Sequence, residues 1–278
     1  MTVKIVTDST SDIPSEVASA LGITVVPVYV RFGDEVYQDR VDISNEGFYQ
    51  KLATSPVHPV TSEPTPEDFA RVYSDCSKEA DGIISIHISD KISGTYNSAL
   101  QGKKITGGKC QIEVVDSYVT SVALALIAIA AARAASAGGS LPEVFEETRR
   151  AISQVGMITF VNTMKYLVLG GRLNNATAMV ASILDIKPLL TFKNGEIARE
   201  GLVHTYQQGM DRLYKFVESI DAIQDLAIAY STTPEQANQL KVRLGSIFPE
   251  EKIYFTQLGA ALGVHCGPGA LVLALRQG

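Results

Sequence analysis

The stretch Val3-Lys4-Ile5-Val6-Thr7-Asp8-Ser9-Thr10-Ser11-Asp12-Ile13-Pro14 carries the reading of the fold. Val3–Thr7 is a short apolar, β-branched run of the kind that forms a buried strand. The polar loop Asp8-Ser9-Thr10-Ser11-Asp12 follows directly. Pro14 suits the first turn of a helix, and Gly22 the position just past its end, where a left-handed residue closes the last turn. The unit recurs downstream. Gly82–Ile88 is a continuous apolar strand followed by Ser89-Asp90-Lys91-Ile92-Ser93-Gly94-Thr95 and a helix. Gln111–Asp116 is a strand followed by Ser117 and a long Ala-rich helix. Strands alternating with helices predict an α/β protein with a doubly wound, mostly parallel sheet, in which ligands bind at the carboxyl ends of the strands. The loops expected there carry Thr7/Asp8/Ser9, Ser89/Ser93 and Asp116/Ser117.

Two segments inside this region have their own signals. Thr24–Phe32 and Glu35–Gln38 read as strands flanking a Gly33-Asp34 turn. Thr65, Pro66 and Asp68 have the spacing of an N-cap, a first helical residue and a capping carboxylate, so a helix is expected from Pro66 to about Ala80. After about residue 155 the pattern changes. Met157–Val161 and Ile186–Phe192 read as strands, and Lys193-Asn194-Gly195-Glu196 as a hairpin turn leading to Ile197–His204. Asp225–Tyr230, a helix starting at Thr233-Pro234, Lys252–Gln257 and Ala270–Leu275 complete a second, mixed-sheet α/β region. The expected division is residues 1–155 and 156–278, with no low-complexity linker between them.

Bulk properties narrow the function. The 278 residues are 46% hydrophobic and 19% charged, which predicts a sizeable core. A net charge of −6 argues against nucleic acid as a partner, because phosphate binding needs a basic surface. The longest apolar run, Val122 to Ala132, is eleven residues against the roughly 20 that a membrane span requires. No stable membrane insertion and no signal peptide are expected. Three widely spaced cysteines form neither a zinc pattern nor a disulfide framework, so reduced thiols and a cytosolic (cytoplasmic) setting are predicted.

Several side chains could carry chemistry. Ser93-Gly94 opens a helix, whose first N–H groups lack internal partners and favour an anion; the simpler reading is that Ser93 only caps it. Arg172 follows Gly170-Gly171, either as a cation beside a turn or as a solvated residue past a helix end. His265 precedes Gly267-Pro268-Gly269, which reads as a tight loop around it. No nucleophile elbow, phosphate loop, dinucleotide fingerprint or HExxH is present. From residue chemistry alone, the chain is a two-domain α/β protein that binds a small anionic ligand.

The segments at 6–14 (VTDSTSDIP), 61–66 (TSEPTP), 92–99 (ISGTYNSA), 114–117 (VVDS), 170–173 (GGRL), 186–190 (IKPLL) and 263–270 (GVHCGPGA) go further. In this order, over almost the whole chain, they resemble the DegV family. The resemblance implies one long-chain fatty acid, such as palmitate, in a cleft between the two domains. Thr61 and Ser93 would hold its carboxylate, with Ser62 and Gly94 beside them and Arg172 and His265 near the head group. It further implies no catalytic residue, metal or cofactor. The role would be lipid transport or fatty acid metabolism, with the bound acid presented to a separate fatty acid kinase catalytic subunit. Two departures stand out: Cys266 where the family commonly has Thr, and Glu63 where it commonly has Gln. Two rival readings remain: a serine hydrolase or acyltransferase using Ser93 and His265, and a binding module for a small polar or phosphorylated metabolite.

Overall fold

The computed structural model describes residues 2–108, 110–172 and 186–278; Leu173, which ends the segment at 170–173, lies outside them. β1 (Val3–Asp8) runs into a 3-10 turn at Ser9–Ser11, and α1 (Ser15–Ala20) is closed by Gly22 at φ +64°. The run Thr24–Phe32, read as one strand, is two. β2 (Ile23–Val26) pairs in parallel with β1, whereas β3 (Tyr29–Phe32) belongs to another sheet. Pro27 separates them because it has no N–H with which to continue a ladder. Beyond it, the Val28 N–H donates to Ser9 Oγ at 3.0 Å. β3 turns at Gly33 into β4 (Glu35–Gln38), as expected. After α2 (Asn45–Thr54), a strand absent from the sequence reading, β5 (Val60–Ser62), pairs with the other edge of β3.

The Thr65/Asp68 capping box forms as predicted and starts α3 (Pro66–Cys76), which ends short of Ala80. β6 (Gly82–His87), α4 (Thr95–Thr106) and β7 (Gln111–Asp116) complete a four-stranded parallel sheet in the order β2-β1-β6-β7. Alternation along the strands feeds two cores. Ile83 packs with Phe69 and Tyr73 of α3, and Ile84 packs with α5 (Ser121–Ser136) and α6 (Leu141–Gln154) on the opposite face.

The second sheet begins at β8 (Val155–Phe160). α7 (Lys165–Leu169), β9 (Lys187–Lys193), β10 (Glu196–Val203), α8 (Tyr206–Glu218), β11 (Ile223–Tyr230), α9 (Pro234–Leu244), β12 (Tyr254–Gln257), α10 (Ala260–Cys266) and β13 (Leu271–Gln277) follow. The order is β10-β9-β8-β13-β11-β12, antiparallel throughout except for β11 with β12. The predicted Asn194-Gly195 turn forms with both residues at positive φ. The chain is therefore an α/β protein with one parallel sheet, one mixed sheet and the small antiparallel sheet β4-β3-β5. α8 and α9 cover one face of the mixed sheet, and α5 packs between the other face and the parallel sheet. That explains its composition: Ser121–Ala132 are all buried, and a helix covered on every side must be apolar all round. Among the described residues no helix is long and apolar enough to cross a membrane.

A polar knot fixes where these layers meet. Asp12, fully buried, accepts from the Arg40 guanidinium (3.1 Å), the Ser121 hydroxyl (2.7 Å) and the Gly259 N–H (2.7 Å). Arg40 also donates to the carbonyls of Ile13 (3.0 Å) and Gln257 (2.8 Å). Asp39, likewise buried, accepts from the Ala260 N–H at 2.8 Å. Burial pushes the Asp12 carboxyl up to about 6 despite Arg40 and the two other donors. A folded-state value above the unfolded 3.8 means that the native state holds the proton more tightly. This contribution to stability is therefore complete below pH 3.8 and is lost as pH rises through about 6. Denaturant unfolding across that window should show this downward slope, and Asp12→Asn should remove it. Asp12→Ala, which strands the partners, should cost about 3–5 kcal/mol at neutral pH.

Candidate functional site

Between the carboxyl ends of β1 and β6 and the inner face of the mixed sheet lies a cavity of about 820 Å³, counting its open mouth. Strand alternation supplies its apolar wall: Met157 from β8, Leu190 and Phe192 from β9 and Val272 from β13 all face the same side. Ile88 and Ile92, from the loop after β6, and Leu262, from α10, contribute the rest of that surface.

Thr61, Ser62, Ser93, Arg172 and His265 all border this cavity. Thr61 and His265, 204 positions apart, meet directly, with Thr61 Oγ1 3.1 Å from His265 Nε2. His265 does not sit in a loop, as the glycines around it suggested. It occupies the last turn of α10, and Gly267 at φ +67° ends that helix. The ring lies against Gly170, where a side chain would collide with Nδ1. Arg172 donates from Nη1 to the Gly170 carbonyl at 2.7 Å, so it secures the end of α7 and borders the cavity as well.

Ser62 and Gly94 stand at the edge of this site. Ser62 pairs with Tyr29 while Thr61 pairs with the fully buried Val30, so alternation turns Ser62 to the opposite, exposed face of β5, at the rim. Gly94 is the N-cap of α4 and does not border the cavity. Its role is spatial: a Cβ there would lie 2.6 Å from Glu63 Oε1, so its absence lets the Glu63 side chain rest on the backbone. Glu63 is exposed at the mouth, and Cys266 borders the interior. Burial, with Asp12 nearby, pushes the Cys266 thiol up to about 12, so it presents a neutral, weakly polar surface.

The loops after the parallel strands contribute less than expected. Of Thr7, Asp8, Ser9, Ser89, Asp116 and Ser117, none borders this cavity; Thr10 and Ser93 do. Asp8 is instead the end of a buried chain that the sequence reading missed. Tyr73 OH donates to Ser85 Oγ (2.8 Å), Ser85 bonds His87 Nε2 (2.7 Å), and His87 Nδ1 bonds Asp8 Oδ2 (2.9 Å). The signal was legible: Ser85 and His87 are two apart on a strand and so share a face. The Ser-His-Asp order resembles a hydrolase triad, but Ser85 is fully buried and already engaged by Tyr73.

The Ser93–His265 pairing needed by a hydrolase does not form either. Ser93 Oγ bonds Thr95 Oγ1 (2.9 Å) and accepts from the Thr95 N–H (3.3 Å). His265 is committed to Thr61, and its Nδ1 has no partner among the described residues. Burial, with Arg172 and His58 adding positive charge, pushes the imidazole down to about 3. Such a ring is a poor base at neutral pH. Among the described residues no group of three or more His, Cys, Asp and Glu side chains is placed to hold a metal ion.

An apolar cavity with a few convergent polar groups, set between two sheets, has the character that suits an amphipathic small molecule. Comparison with known proteins agrees with that class. The model of the DegV family matches residues 2–277, and the chain belongs to this family. It is 32% identical over 279 residues to a DegV domain-containing protein of Deinococcus radiodurans, covering 99% of this chain and 98% of the relative. A fatty-acid-binding DegV-family protein of Thermus thermophilus superposes with a TM-score of 0.90 at 32% identity over 100% of both chains. DegV of Bacillus subtilis, a fatty acid binding protein, superposes at 0.91 with 28% identity, also over 100% of both.

The state of His265 is testable without a ligand. Because its folded value lies below the unfolded 6.5, the native state excludes the proton. Its contribution to stability is present above pH 6.5 and is lost as pH falls toward about 3. Nitrogen-detected NMR should therefore find a neutral ring at pH 5, and His265→Asn should flatten the acid side of the stability profile.

Proposed function

We propose that the chain binds one long-chain fatty acid in this cavity, with its carboxylate toward Thr61 and Ser93, and presents it to a separate fatty acid kinase subunit. The observation that carries the reading is the division within the cavity. Thr61 bonds His265, and Arg172, bonded to the Gly170 carbonyl against which the His265 ring lies, borders the same cavity, while the wall formed by the mixed sheet is predominantly apolar. That the similar Thermus and Bacillus proteins bind fatty acids supports it. Residues 1–155 and 156–278 would act as the two domains flanking the ligand, in the cytoplasm where ATP is available to the kinase. A phosphorylated metabolite would leave the apolar wall unused.

The energetics favour the tail as the main source of affinity. Burying roughly 15 methylenes at about 0.8 kcal/mol each contributes about 12 kcal/mol. Ordering and association offset several kcal/mol of this, leaving an affinity between roughly micromolar and nanomolar. The head-group contacts then set direction and select an acid.

Mass spectrometry of material released on denaturing the purified protein should find a long-chain fatty acid. Calorimetry on the Thr61→Ala/Ser93→Ala protein should find binding weakened by a few kcal/mol at most, since charge-assisted hydrogen bonds contribute about 1.5–3 kcal/mol each. A sugar phosphate in the released material, or undiminished binding in the double variant, overturns the respective part.

Arg172 and His265 should matter more for transfer than for retention. Phosphoryl transfer depends on aiming one carboxylate oxygen, and small misplacements cost about 100-fold in rate. In an assay reconstituted with the kinase subunit and ATP, Arg172→Ala and His265→Ala should keep fatty acid but form acyl phosphate slowly. Parallel loss of binding and turnover would make them ligand contacts only.

A further inference from the structure

Glu63 stands at the mouth of the cavity and brings a charge that the head-group contacts do not use. A Cβ on Gly94 would lie 2.6 Å from Glu63 Oε1 and 2.9 Å from its Cδ, so this carboxylate rests on the Gly94 backbone. Gly94 follows Ser93 directly and is the N-cap of α4. The N–H groups that open a helix favour negative charge, which accounts for where the Glu63 side chain settles.

Among the described residues, the charges bordering the cavity are few. Arg172 and Glu63 supply one each, of opposite sign. The ring of His265, pushed down to about 3, stays neutral at physiological pH. Glu63 therefore offsets Arg172, and the border is balanced before any ligand arrives. A carboxylate held by Thr61 and Ser93 would meet Glu63 at the same helix end. Their separation would be on the order of the Debye length, about 8 Å at physiological salt, over which exposed charges still act on each other. An uncharged head group, such as an alcohol or an amide, would take the same hydroxyl contacts without that repulsion.

We propose that Glu63 is a specificity-determining residue: its carboxylate, seated on Gly94 beside Ser93, narrows the preference of this site for an ionised head group over an uncharged one. This rests on the fatty-acid reading above and deepens it. Apolar burial is the same for a long-chain acid and for the alcohol of equal length, so the head group alone decides between them. Thr61, Ser93 and Arg172 favour the acid, and Glu63 works against them. The acid is thereby held less firmly than its hydroxyl contacts would allow, which suits a carrier that must release what it binds.

The test measures hexadecanoate and hexadecanol by calorimetry on the full-length protein, stripped of lipid, and on its Glu63→Gln and Glu63→Lys variants, at mildly alkaline pH and low salt. The quantity read is the ratio of dissociation constants, acid over alcohol. Glu63→Gln should lower that ratio by about two- to fivefold, the scale of an interaction between exposed charges, and Glu63→Lys should lower it further. Raising the salt to about 0.5 M should shrink the difference between the proteins. A ratio unchanged or raised in Glu63→Gln overturns the proposal. So does an equal change for acid and alcohol, which would make Glu63 a cap of α4 and no more. Wild-type protein that binds neither ligand overturns the fatty-acid reading itself, and this proposal with it.

Discussion

A buried carboxylate that must keep its donors holds this molecule in its working shape. Asp12 gathers Arg40, Ser121 and Gly259 around one side chain, joining segments that are up to 247 positions apart. An ionised group removed from water is tolerated only when each lone pair has a donor, so the backbone at each of those segments has little freedom. One donor lies at the start of α5 and another at the start of α10. Asp39 on Ala260 N–H, Tyr49 OH on the Leu258 carbonyl and Asn45 on the Gln257 carbonyl lock the same segment again. The helix carrying His265 and Cys266 is thereby fixed against the loop that leaves β1.

The cavity follows from that arrangement. α5 is small-sided and buried along most of its length, so the two sheets approach it closely and share one apolar core. At its start, Thr120 and Ser121 border the cavity. There the β5 strand and α10 supply the wall in place of α5. Polar side chains from β5, from the α4 start, from α7 and from α10 meet only because these elements are pinned on both sides. Gly170 and Gly94 complete the fit by leaving room for the His265 ring and the Glu63 side chain.

Much of the architecture was legible in local pattern. The apolar runs at Val3–Thr7 and Gly82–Ile88, the Thr65/Asp68 box and the Asn194-Gly195 turn are short-range signals, and each became the element it predicted. The losses have physical causes. Pro27 cut one apolar run into strands of different sheets, and three-residue β5 is too short for a periodic signal. The run from Ala260 to Cys266 was overshadowed by the glycines behind it. Polar loops after the parallel strands looked like ligand contacts, but Asp8 and Asp116 spend their hydrogen bonds on their own backbone and neighbours.

By itself, the sequence determined the α/β class, most strand positions, the absence of common catalytic signatures and, through its ordered motifs, the family. These depend on residues close together in the chain, where periodicity, capping and turn chemistry act. Only the tertiary structure decided that Thr61 bonds His265, that Ser62 borders the cavity from its exposed rim, and that Ser93 and His265 form no dyad. Those facts depend on strand register and on the buried Asp12 network, which couple positions hundreds of residues apart and leave no local pattern.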